Sequence, residues 1–363
     1  MRILFLAGAN SIHSYRWIKY FAERGDEVHW LSSAPLTFSN IKNINFYKIK
    51  HFPLKPFQVC RGVICLKRLI KKINPDILHA HYAGVNGLVG AYSNFHPFII
   101  TTWGSDVFLA GKSRIKGPFV RFALRTADLI TCDANSMKQA IIRMKINPEK
   151  IRIVYFGTDT DKFKPENKDE MLRNKLQLSN SPIVISLRNF EPIYNIQSLI
   201  KSIPLVLKEI PEAKFVIAGR GPEERQLKNL AQSTGVLESI RFAGFIPDNE
   251  LPGYLTSADI YVSTSLSDAG IAASTAEAMA CGLPVIITDS EENRKWVEEG
   301  GGFVVPVKNP RILAQKIVYL LKNPDLRKEF GKVNRRVIEE RNNYYKEMER
   351  IEKIYKEIMR NNE

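Results

Sequence analysis

The chain alternates short apolar runs with longer segments in which apolar residues recur at helical spacing. A short apolar run between polar and turn residues is typical of a buried strand, whereas recurrence every three to four residues indicates an amphipathic helix. One such helix is predicted over Tyr15–Glu23, and its apolar face would comprise Trp17, Ile18, Phe21 and Ala22. The strands predicted in the first half are Ile3–Leu6, Val28–Leu31, Asn45–Ile49, Ile77–His79, Phe98–Thr102, Leu129–Thr131 and Ile151–Tyr155.

The second half repeats this alternation without repeating the sequence. Its predicted strands are Ile183–Leu187, Phe215–Ala218, Ile240–Phe242, Ile260–Ser263, Val285–Thr288 and Phe303–Val305. Repeated strand–helix units predict parallel, doubly wound sheets, so we expect an α/β protein with two Rossmann-like domains facing a cleft. Ligands of such sheets bind beyond the carboxyl ends of the strands, which makes the cleft the expected active site.

The domain boundaries follow from changes in polarity along the chain. Lys164–Ser181 is polar and charged, and it is interpreted as a linker with one short helix. We therefore expect an N-terminal domain over 1–165 and a C-terminal domain over 166–341. The final segment, 342–363, is predicted to be a charged amphipathic helix, with Tyr345, Met348, Ile351, Ile354 and Tyr355 on its apolar side.

Length and composition narrow the class of protein. A chain of 363 residues is long enough to form two domains. No apolar run approaches the roughly 20 residues that span a bilayer, and the opening MRILFLAGANSIH reads as a first strand rather than a signal peptide. The four cysteines are scattered, at Cys60, Cys65, Cys132 and Cys281. Their spacing favours free thiols in a cytoplasmic protein and no metal site.

All of the net charge of +15 lies in the first half. Residues 1–165 contain 25 Lys and Arg and 10 Asp and Glu, whereas the remainder contains 28 of each kind. The basic residues cluster between Arg61 and Lys72 and between Lys112 and Arg125, where apolar residues interleave them. An anionic membrane surface or a lipid diphosphate is the favoured partner, and a solvated helix face is the alternative. Nucleic acid is not expected, because no nucleic-acid-binding module is present.

The most informative segment is Ser265 to Asp289, SLSDAGIAASTAEAMACGLPVIITD. A loop of small residues leads into a helix that carries one carboxylate, Glu277, and Gly282 and Pro284 end that helix before an apolar strand. A small-residue loop at a helix start offers free N–H groups and the positive end of a dipole, which suits a phosphate. A carboxylate one turn later can accept hydrogen bonds from the hydroxyls of a ribose.

This segment resembles the donor-binding signature of the family 4 glycosyltransferases of the GT-B architecture. In that family two acidic residues stand eight positions apart, the second in an E-A-M-A-C-G run, which Glu277 matches. The position of the first acid is Ala269, and the nearest acid is Asp268. The resemblance implies two Rossmann-like domains, a nucleotide-sugar donor held by the second, and a last helix that crosses back onto the first.

Other matches to the family follow predicted strands of the second half. Arg188 comes directly after Ile183–Leu187, where an arginine would hold a diphosphate with two donors. The family's lysine five residues later is Ile193 here, and Tyr194-Asn195 stands one residue beyond. Gly219-Arg220-Gly221-Pro222 is similar to the family's G-x-G-P loop, and it is interpreted either as a base contact or as a plain turn.

In the first half, the family's opening S-I-H-x-x-R-W is matched around His13, just past Gly8. His79-Ala80-His81 resembles the family's H-A-H, with both histidines on one face of a strand. Trp103 replaces a histidine that lies near the transferred sugar in many relatives. Asp106, the next acid in that loop, would either orient an acceptor hydroxyl or cap the following helix.

Phe156-Gly157-Thr158-Asp159 resembles an N-G-V-D turn and is expected to be architectural. The residues expected to act in catalysis are Arg188, Glu277 and Asp106. Those expected to bind the donor are Gly8, Arg188, Gly219, Arg220, Asp268, Gly270, Ala272, Ser274, Thr275 and Glu277, and those expected to bind the acceptor are His13, His81 and Trp103.

The expected protein is a retaining, metal-independent glycosyltransferase of the hexosyltransferase type. It would need no cofactor, and it would move a sugar from a nucleotide-diphosphate donor to a hydroxyl of a lipid-linked or cell-envelope glycan in polysaccharide biosynthesis. It would be cytoplasmic, with the basic first half bringing it to the inner membrane face. Two alternatives remain, a GT-B sugar-nucleotide epimerase or hydrolase and a degenerate nucleotide-sugar-binding protein, the latter because of Ala269, Ile193 and Trp103.

Overall fold

The computed structural model describes residues 1–38, 42–50, 55–111, 113–178, 181–268, 270–290 and 292–360, without the side chains of residues 55, 56 and 110. Ala269, where the family has its first acid, is outside the described residues. The chain divides into two compact units, Met1–Phe156 with Tyr345–Glu363, and Gly157–Tyr344. Within the described residues, every helix is too short or too polar to span a bilayer.

The first unit is built on a seven-stranded parallel sheet in the order β3-β2-β1-β4-β5-β6-β7. Two short turns interrupt its regular elements, a π-helical one at Asp106–Ala110 and a 3₁₀ one at Pro148–Lys150. The elements are β1 (Arg2–Leu6), α1 (Ile12–Glu23), β2 (Glu27–Ser32), β3 (Ile44–Lys48), α2 (Lys55–Ile73), β4 (Ile77–His81), α3 (Val85–Ser93), β5 (Phe98–Thr101), α4 (Gly117–Thr126), β6 (Leu129–Cys132), α5 (Asn135–Arg143) and β7 (Ile151–Ile153).

The second unit has a six-stranded parallel sheet in the order β10-β9-β8-β11-β12-β13, the same winding order as in the first. Pro192–Tyr194 and Leu237–Ser239 form 3₁₀ turns. The elements are α6 (Glu170–Lys175), β8 (Ile183–Leu187), α7 (Ile196–Leu207), β9 (Lys214–Ala218), α8 (Glu224–Ser233), β10 (Ile240–Gly244), α9 (Leu251–Thr256), β11 (Ile260–Ser263), α10 (Ala273–Ala280), β12 (Val285–Thr288), α11 (Arg294–Val297), β13 (Gly302–Val305), α12 (Pro310–Lys322) and α13 (Pro324–Arg341), and α14 (Tyr344–Arg360) ends the chain.

The apolar runs form these sheets because the central strands are buried on both faces. A parallel strand covered by helices on either side has no polar face, so it reads as a continuous apolar run. Ile3, Leu4 and Phe5 of β1 are fully buried, as are all four residues of β12. Each predicted strand is confirmed, with ends that agree to within two residues. The GT-B class of fold, two parallel doubly wound α/β domains, is likewise confirmed.

Helix α1 shows how the local sequence sets an element. Ser11 is its N-cap, and the Ser11 hydroxyl accepts a hydrogen bond from the N–H of Ser14. The helix starts three residues earlier than the predicted Tyr15, because the capping serine fixes the first turn. The predicted apolar face is the buried one, with Trp17, Ile18, Phe21 and Ala22 all buried.

Helix α14 packs on the first unit through Tyr355, which is fully buried. The Tyr355 ring stacks on Phe21 of α1, with ring centres 5.1 Å apart, and its hydroxyl is hydrogen-bonded to Nδ1 of His79. The Glu347 carboxylate accepts a hydrogen bond from the N–H of Tyr155 at 2.9 Å. These contacts explain why Tyr345–Glu363 clusters with the first unit.

The boundary between the units lies nine residues before the predicted one, at Phe156 and Gly157. The predicted linker over 164–181 instead belongs to the second unit. The Arg335 guanidinium donates a hydrogen bond to the carbonyl of Phe163, and Arg173 of α6 is buried and donates to the carbonyl of Ser257 at 2.7 Å. The polar composition of this segment suggested a linker. Composition alone does not distinguish a solvated linker from a segment that hydrogen bonds hold to a domain.

Candidate active site

In the second sheet, β8 and β11 are neighbours, but their connections run to opposite edges of the sheet. At such a switch point the loops after the two strands separate and leave a crevice, where ligands of doubly wound sheets bind. Arg188 directly follows β8, and residues 264–272 follow β11 and lead into α10. The fold therefore places side by side two segments that are about 80 residues apart in the sequence.

Arg188 is the central charge of this crevice. Its guanidinium forms a buried salt bridge with Asp268 and lies 4.1 Å from the centre of the Tyr194 ring. The Nε atom of Arg188 is buried, and no atom of the described residues accepts a hydrogen bond from it. Buried N–H groups are almost always paired, so this donor indicates a place for an acceptor that comes from outside the chain.

The Gly219–Gly221 loop holds the segment that carries Arg188. A Cβ on Gly219 would lie 2.4 Å from the carbonyl oxygen of Arg188, and one on Gly221 would lie 2.4 Å from that of Phe190. The two loops are joined by hydrogen bonds from the N–H of Phe190 to the carbonyl of Arg220 and from the N–H of Glu223 to the carbonyl of Phe190, at 3.0 and 3.1 Å. The glycines therefore serve this backbone contact, whereas the sequence left them open between base contact and turn.

Tyr194 occupies the neighbourhood in which the family pattern has a lysine. Its carbonyl and that of Asn195 both accept hydrogen bonds from the Thr264 hydroxyl, at 3.0 Å each, so the loops after β8 and β11 are tied together. Ile193 is 43% exposed, and its side chain supplies no charge. The second cation expected from the family is replaced by an aromatic ring that covers one face of the Arg188 guanidinium.

Helix α10 begins beside this charge. Its N-cap, Ala272, has no side-chain oxygen to accept from the first-turn N–H groups, and the N–H of Thr275 donates to the Ala272 carbonyl at 3.0 Å. By helix geometry the N–H groups of Ala273 and Ser274 lack intrahelical acceptors and can be offered to a ligand. The hydroxyls of Ser274 and Thr275 are hydrogen-bonded to that of Tyr261, at 2.8 and 3.3 Å. Glu277 is half-buried one turn further along the helix.

Tyr261 connects these parts, and no sequence motif singles it out because it lies within an apolar strand. Burial raises the pKa of the Tyr261 hydroxyl, while the charge of Arg188 and hydrogen bonds from Ser274 and Thr275 act in the opposite direction. Tyr261 therefore stays protonated and anchors the first turn of α10 near Arg188. Of the other residues predicted to bind the donor, Gly270 is buried and the Arg220 side chain is exposed, 6.0 Å from the Phe245 ring.

The first unit has its own switch point, between β1 and β4. Gly8 follows β1 and His81 ends β4, and both line a cavity of about 270 Å³ together with Ser11, Ser14 and Asn86, among others. His81 is buried, with Nδ1 3.1 Å from the Ser14 hydroxyl and Nε2 unpaired among the described residues. Burial, and then the nearby His13, lower the pKa of His81 to about 3, so its ring is neutral at neutral pH.

His13 lies in a group of three stacked rings. Its ring centre is 5.3 Å from Trp103 and 4.7 Å from Phe156, and the latter two are 5.1 Å apart. Burial and the charge of Arg16 lower the pKa of His13 to about 4. Trp103, like Gly8, lines the cavity. Gly8 belongs to the first unit, whereas the other residues predicted to bind the donor belong to the second.

Asp106 and His79 are held in the interior of the first unit. The carboxylate of Asp106 is fully buried and accepts hydrogen bonds from the N–H groups of Ala83 and Trp103, at 2.8 and 3.1 Å. Burial raises the pKa of Asp106, which these backbone hydrogen bonds partly offset. The Asp106 carboxylate therefore joins the loops after β4 and β5. Within the described residues no side chain caps the Asp106–Ala110 turn, and contact of Asp106 with an acceptor stays a prediction. His79 is bonded to Tyr355 and Thr101, which agrees with the packing role given to one histidine of the pair.

The described part of the chain contains no group of three or more His, Cys, Asp or Glu side chains that could hold a metal ion. The functional elements are instead a buried arginine at one switch point and a cavity lined by hydroxyl, amide and aromatic side chains at the other. Two doubly wound parallel sheets, each with its polar groups beyond the carboxyl ends of central strands, define the GT-B class of fold.

Comparison with known proteins gives the family. The model of glycosyl transferases group 1 matches residues 167–337, and the model of the glycosyl transferase 4-like family matches residues 2–134. The chain belongs to the group 1 glycosyltransferases of GT-B fold.

Relatives extend over the whole chain. N-acetyl-alpha-D-glucosaminyl L-malate synthase of Bacillus anthracis is 24% identical over 94% of this chain and 92% of that protein. Alpha-monoglucosyldiacylglycerol synthase of Streptococcus pneumoniae is 28% identical over 62% of this chain and 54% of its own length. Among solved structures, Anabaena Alr3699/HepE in complex with UDP has a TM-score of 0.85 at 19% identity, covering 98% of this chain and 100% of that one.

Proposed function

We propose that the protein is a retaining glycosyltransferase that moves a sugar from a nucleoside-diphosphate sugar to a hydroxyl of a lipid-linked or cell-envelope glycan. One observation carries the proposal: Nε of Arg188 is buried at the switch point of the second sheet, near the first turn of α10, and no described residue accepts a hydrogen bond from it. A pyrophosphate oxygen is an acceptor suited to both the guanidinium and the free N–H groups of a helix start.

These groups act on the leaving group. When the bond between sugar and diphosphate breaks, negative charge accumulates on the diphosphate. Hydrogen-bond donors that are already fixed in a site with little water stabilise that charge more in the transition state than in the ground state, which lowers the barrier. Arg188 is held in place by Asp268 and by the Gly219–Gly221 loop, so it needs little reorganisation during the reaction. In this proposal the positive charge comes from Arg188 and the helix start, with no metal ion or cofactor.

Glu277 is proposed to accept hydrogen bonds from the donor's ribose hydroxyls. It is half-buried and lies one turn beyond the free N–H groups of α10, a spacing that suits a ribose next to a diphosphate. The structure of the Anabaena protein in complex with UDP-glucose, with a TM-score of 0.83 to this chain at 19% identity, supports a nucleotide sugar as the donor.

The acceptor is proposed to bind to the first unit, at the cavity lined by His81, Ser14, Asn86 and Trp103. Hydroxyl and amide side chains can pair with the hydroxyls of a sugar, and Trp103 can stack on its ring. The name of the pneumococcal relative, an alpha-monoglucosyldiacylglycerol synthase, supports a lipid-linked acceptor.

Retention is proposed on the names of relatives, which specify alpha-linked products. From an α-linked donor, a retaining enzyme gives an α-linked product and an inverting enzyme gives a β-linked one. The anomeric proton coupling of the product in the NMR spectrum tests this, and a β-linkage would exclude retention.

Substitution of Glu277 tests the donor site. We expect Glu277→Ala to abolish transfer while thermal unfolding stays close to that of the wild type, because the side chain is only half-buried. Glu224→Ala is a matched control: this glutamate lies on α8 of the same unit in an exposed pair with Lys228, and its loss should leave transfer unchanged. Unchanged turnover in Glu277→Ala would remove the donor-site assignment.

Substitution of Arg188 tests its role on the leaving group. We expect Arg188→Ala to lower kcat by on the order of 100-fold or more with a smaller change in KM, as for loss of a charge-stabilising donor. Arg188→Lys keeps a charge opposite Asp268 and controls for the destabilisation that a stranded carboxylate would cause. A loss of donor affinity with kcat unchanged would contradict the proposed role.

Incubation with donor alone separates the two alternatives. Conversion of the sugar without an acceptor would identify an epimerase or hydrolase. Nucleotide binding by calorimetry without turnover under any condition would identify a binding protein.

A thermal-shift screen of UDP, GDP and ADP would identify the preferred nucleotide base, since in this proposal the free nucleoside diphosphate already contacts Arg188 and Glu277.

We further propose that the protein works in the cytoplasm at the inner membrane face, drawn there by the excess of basic residues in 1–165. Co-sedimentation with phosphatidylglycerol vesicles, but not with phosphatidylcholine vesicles, is expected at low salt and should weaken at high salt. Equal binding to both kinds of vesicle would argue against this attraction.

A further inference from the structure

A large apolar groove lies on the first unit, outside every site assigned above. It has a volume of about 900 Å³ and is enclosed by α2, α3 and α4, with walls formed by side chains such as Val63, Leu88 and Phe119. Ligand pockets commonly measure about 300–1,000 Å³, so the groove is large enough for an organic ligand.

The groove is edged by large apolar side chains that contact water. Ile64 is 54% exposed, Tyr92 46%, Ile115 79% and Phe119 51%. Scattered exposed apolar residues are ordinary, but a contiguous group around a concave surface marks a binding site. The apolar side chains of the groove walls favour a ligand with a hydrocarbon part.

The charge around the groove selects an anionic ligand. Helix α2 carries six Lys and Arg and α4 carries two, and neither these helices nor α3 contain a single Asp or Glu. Lys116, at the start of α4, is itself part of the groove wall. A hydrocarbon chain that carries a phosphate is complementary to both the walls and the rim.

The groove adjoins the polar cavity at the end of β4. Tyr82 and Val85 line both spaces, so the two adjoin at these residues. Tyr82 has a φ of 83°, which is unusual for a residue with a side chain, and its hydroxyl accepts a hydrogen bond from Ser105 at 3.3 Å. Its ring lies against Gly84, where a Cβ would come within 2.8 Å of it.

We propose that the groove holds the hydrocarbon chain of a single amphiphilic acceptor with a phosphate group, and that the sugar end of this acceptor passes Tyr82 and Val85 into the polar cavity. The proposal rests on the proposed function and identifies the acceptor as a chain–phosphate–sugar molecule. In this proposal the hydrocarbon chain of the acceptor enters the groove of the protein, and the protein does more than lie on the surface of a bilayer. Tyr82 and Val85 are positioning residues at the junction between chain and sugar.

The test uses the full chain and calorimetry with n-hexyl, n-octyl and n-decyl phosphate, each below its critical micelle concentration. We expect affinity to rise about 3- to 4-fold for each added methylene, as for burial of hydrocarbon. Inorganic phosphate should bind far more weakly than the decyl ester. Affinity that does not depend on chain length would overturn the proposal.

Two phenylalanines of α4 give a matched pair of variants. Phe119 lines the groove, whereas Phe122 is 40% exposed, packs beside Tyr92 and does not line it. Phe119→Ser should weaken decyl phosphate binding by about 10-fold or more, from loss of buried apolar contact, and Phe122→Ser should change it by less than about 2-fold. Equal losses in the two variants would show that the exposed face of α4, not the groove, is responsible, and would overturn the proposal.

The junction is tested with decyl α-D-glucopyranosyl phosphate, which adds a sugar beyond the phosphate. Val85→Trp should weaken binding of this compound by a larger factor than it weakens binding of decyl phosphate, with the thermal unfolding temperature close to that of the wild type. An equal effect on both compounds would refute the path past Tyr82 and Val85. Nucleoside diphosphate binding, measured on the same variants, reports separately on the proposed function: its absence in the wild type would refute the donor site, and groove binding is measured independently of it.

Discussion

Gly219 and Gly221 give the sharpest test of how the arginine is held. Each lies where a Cβ would come within 2.4 Å of a backbone oxygen of the 188–190 segment. Ordinary contacts of this kind are at least about 1 Å longer, so either Ala substitution must displace one loop from the other. Gly219 has in addition a φ of 150°, which residues with side chains rarely adopt, whereas Gly221 does not have a positive φ.

The two costs can be separated with a third glycine. Gly235, after α8, has a φ of 71° but no atom within 4 Å of the position of its Cβ, so Gly235→Ala measures backbone strain alone, about 1–2 kcal/mol. Gly221→Ala measures overlap alone, about 1–3 kcal/mol by analogy with overpacked cores. Gly219→Ala combines both, so we expect a loss of about 2–5 kcal/mol.

Hydrogen exchange measured by mass spectrometry localises the effect. Amide protection of Phe190 and Glu223, whose N–H groups join the two loops, should fall in Gly219→Ala and Gly221→Ala and remain unchanged in Gly235→Ala. In Gly219→Ala, sugar transfer should fall together with this amide protection, because the displaced carbonyl is that of Arg188. If Gly219→Ala were no more destabilising than Gly235→Ala, or if it left exchange at Phe190 unchanged, the account of the loop contact would be wrong.

Three further expectations concern stability. The pKa of His81 in the folded protein is about 3, below its ordinary value of about 6.5. The contribution of neutral His81 to the free energy of unfolding is therefore present above pH 6.5 and should fall by about 2 kcal/mol between pH 7 and pH 5. His81→Gln should flatten that part of the pH dependence, measured as urea midpoints. Asp268→Ala should cost about 3 kcal/mol by stranding the buried guanidinium of Arg188, and a double variant with Arg188→Met should cost less than the sum of the two single changes in thermal unfolding. Tyr355→Phe should cost about 1–2 kcal/mol by leaving Nδ1 of His79 unpaired, and a chemical denaturation curve equal to that of the wild type would contradict this.

The apolar runs of the sequence were sufficient to place the strands. A strand such as β12, buried on both faces, must be apolar throughout, and few other local structures produce such a run between turn residues. The parallel, doubly wound class was predictable for the same reason, since repeated strand–helix units form parallel sheets with a small set of connections. Arg188 could be placed at a sheet edge because it follows a strand directly.

Other features depend on contacts that no local pattern records. The 157–165 segment belongs to the second unit because Arg335, about 170 residues later, bonds to its carbonyls. Asp106 joins the loops after β4 and β5 because the N–H of Ala83 comes within 2.8 Å of its carboxylate, and a sequence shows only that an acid is present.

The sequence by itself determined the strand positions, the parallel doubly wound class and the family, and it selected Arg188 and Glu277 as candidates, because burial periodicity and local motifs are properties of neighbouring residues. Only the tertiary structure decided that Tyr194 covers the arginine, that Tyr261 anchors α10 and that an apolar groove meets a polar cavity at Tyr82. Such arrangements join residues that are distant along the chain, and their distances are set by how helices and loops pack on the sheets.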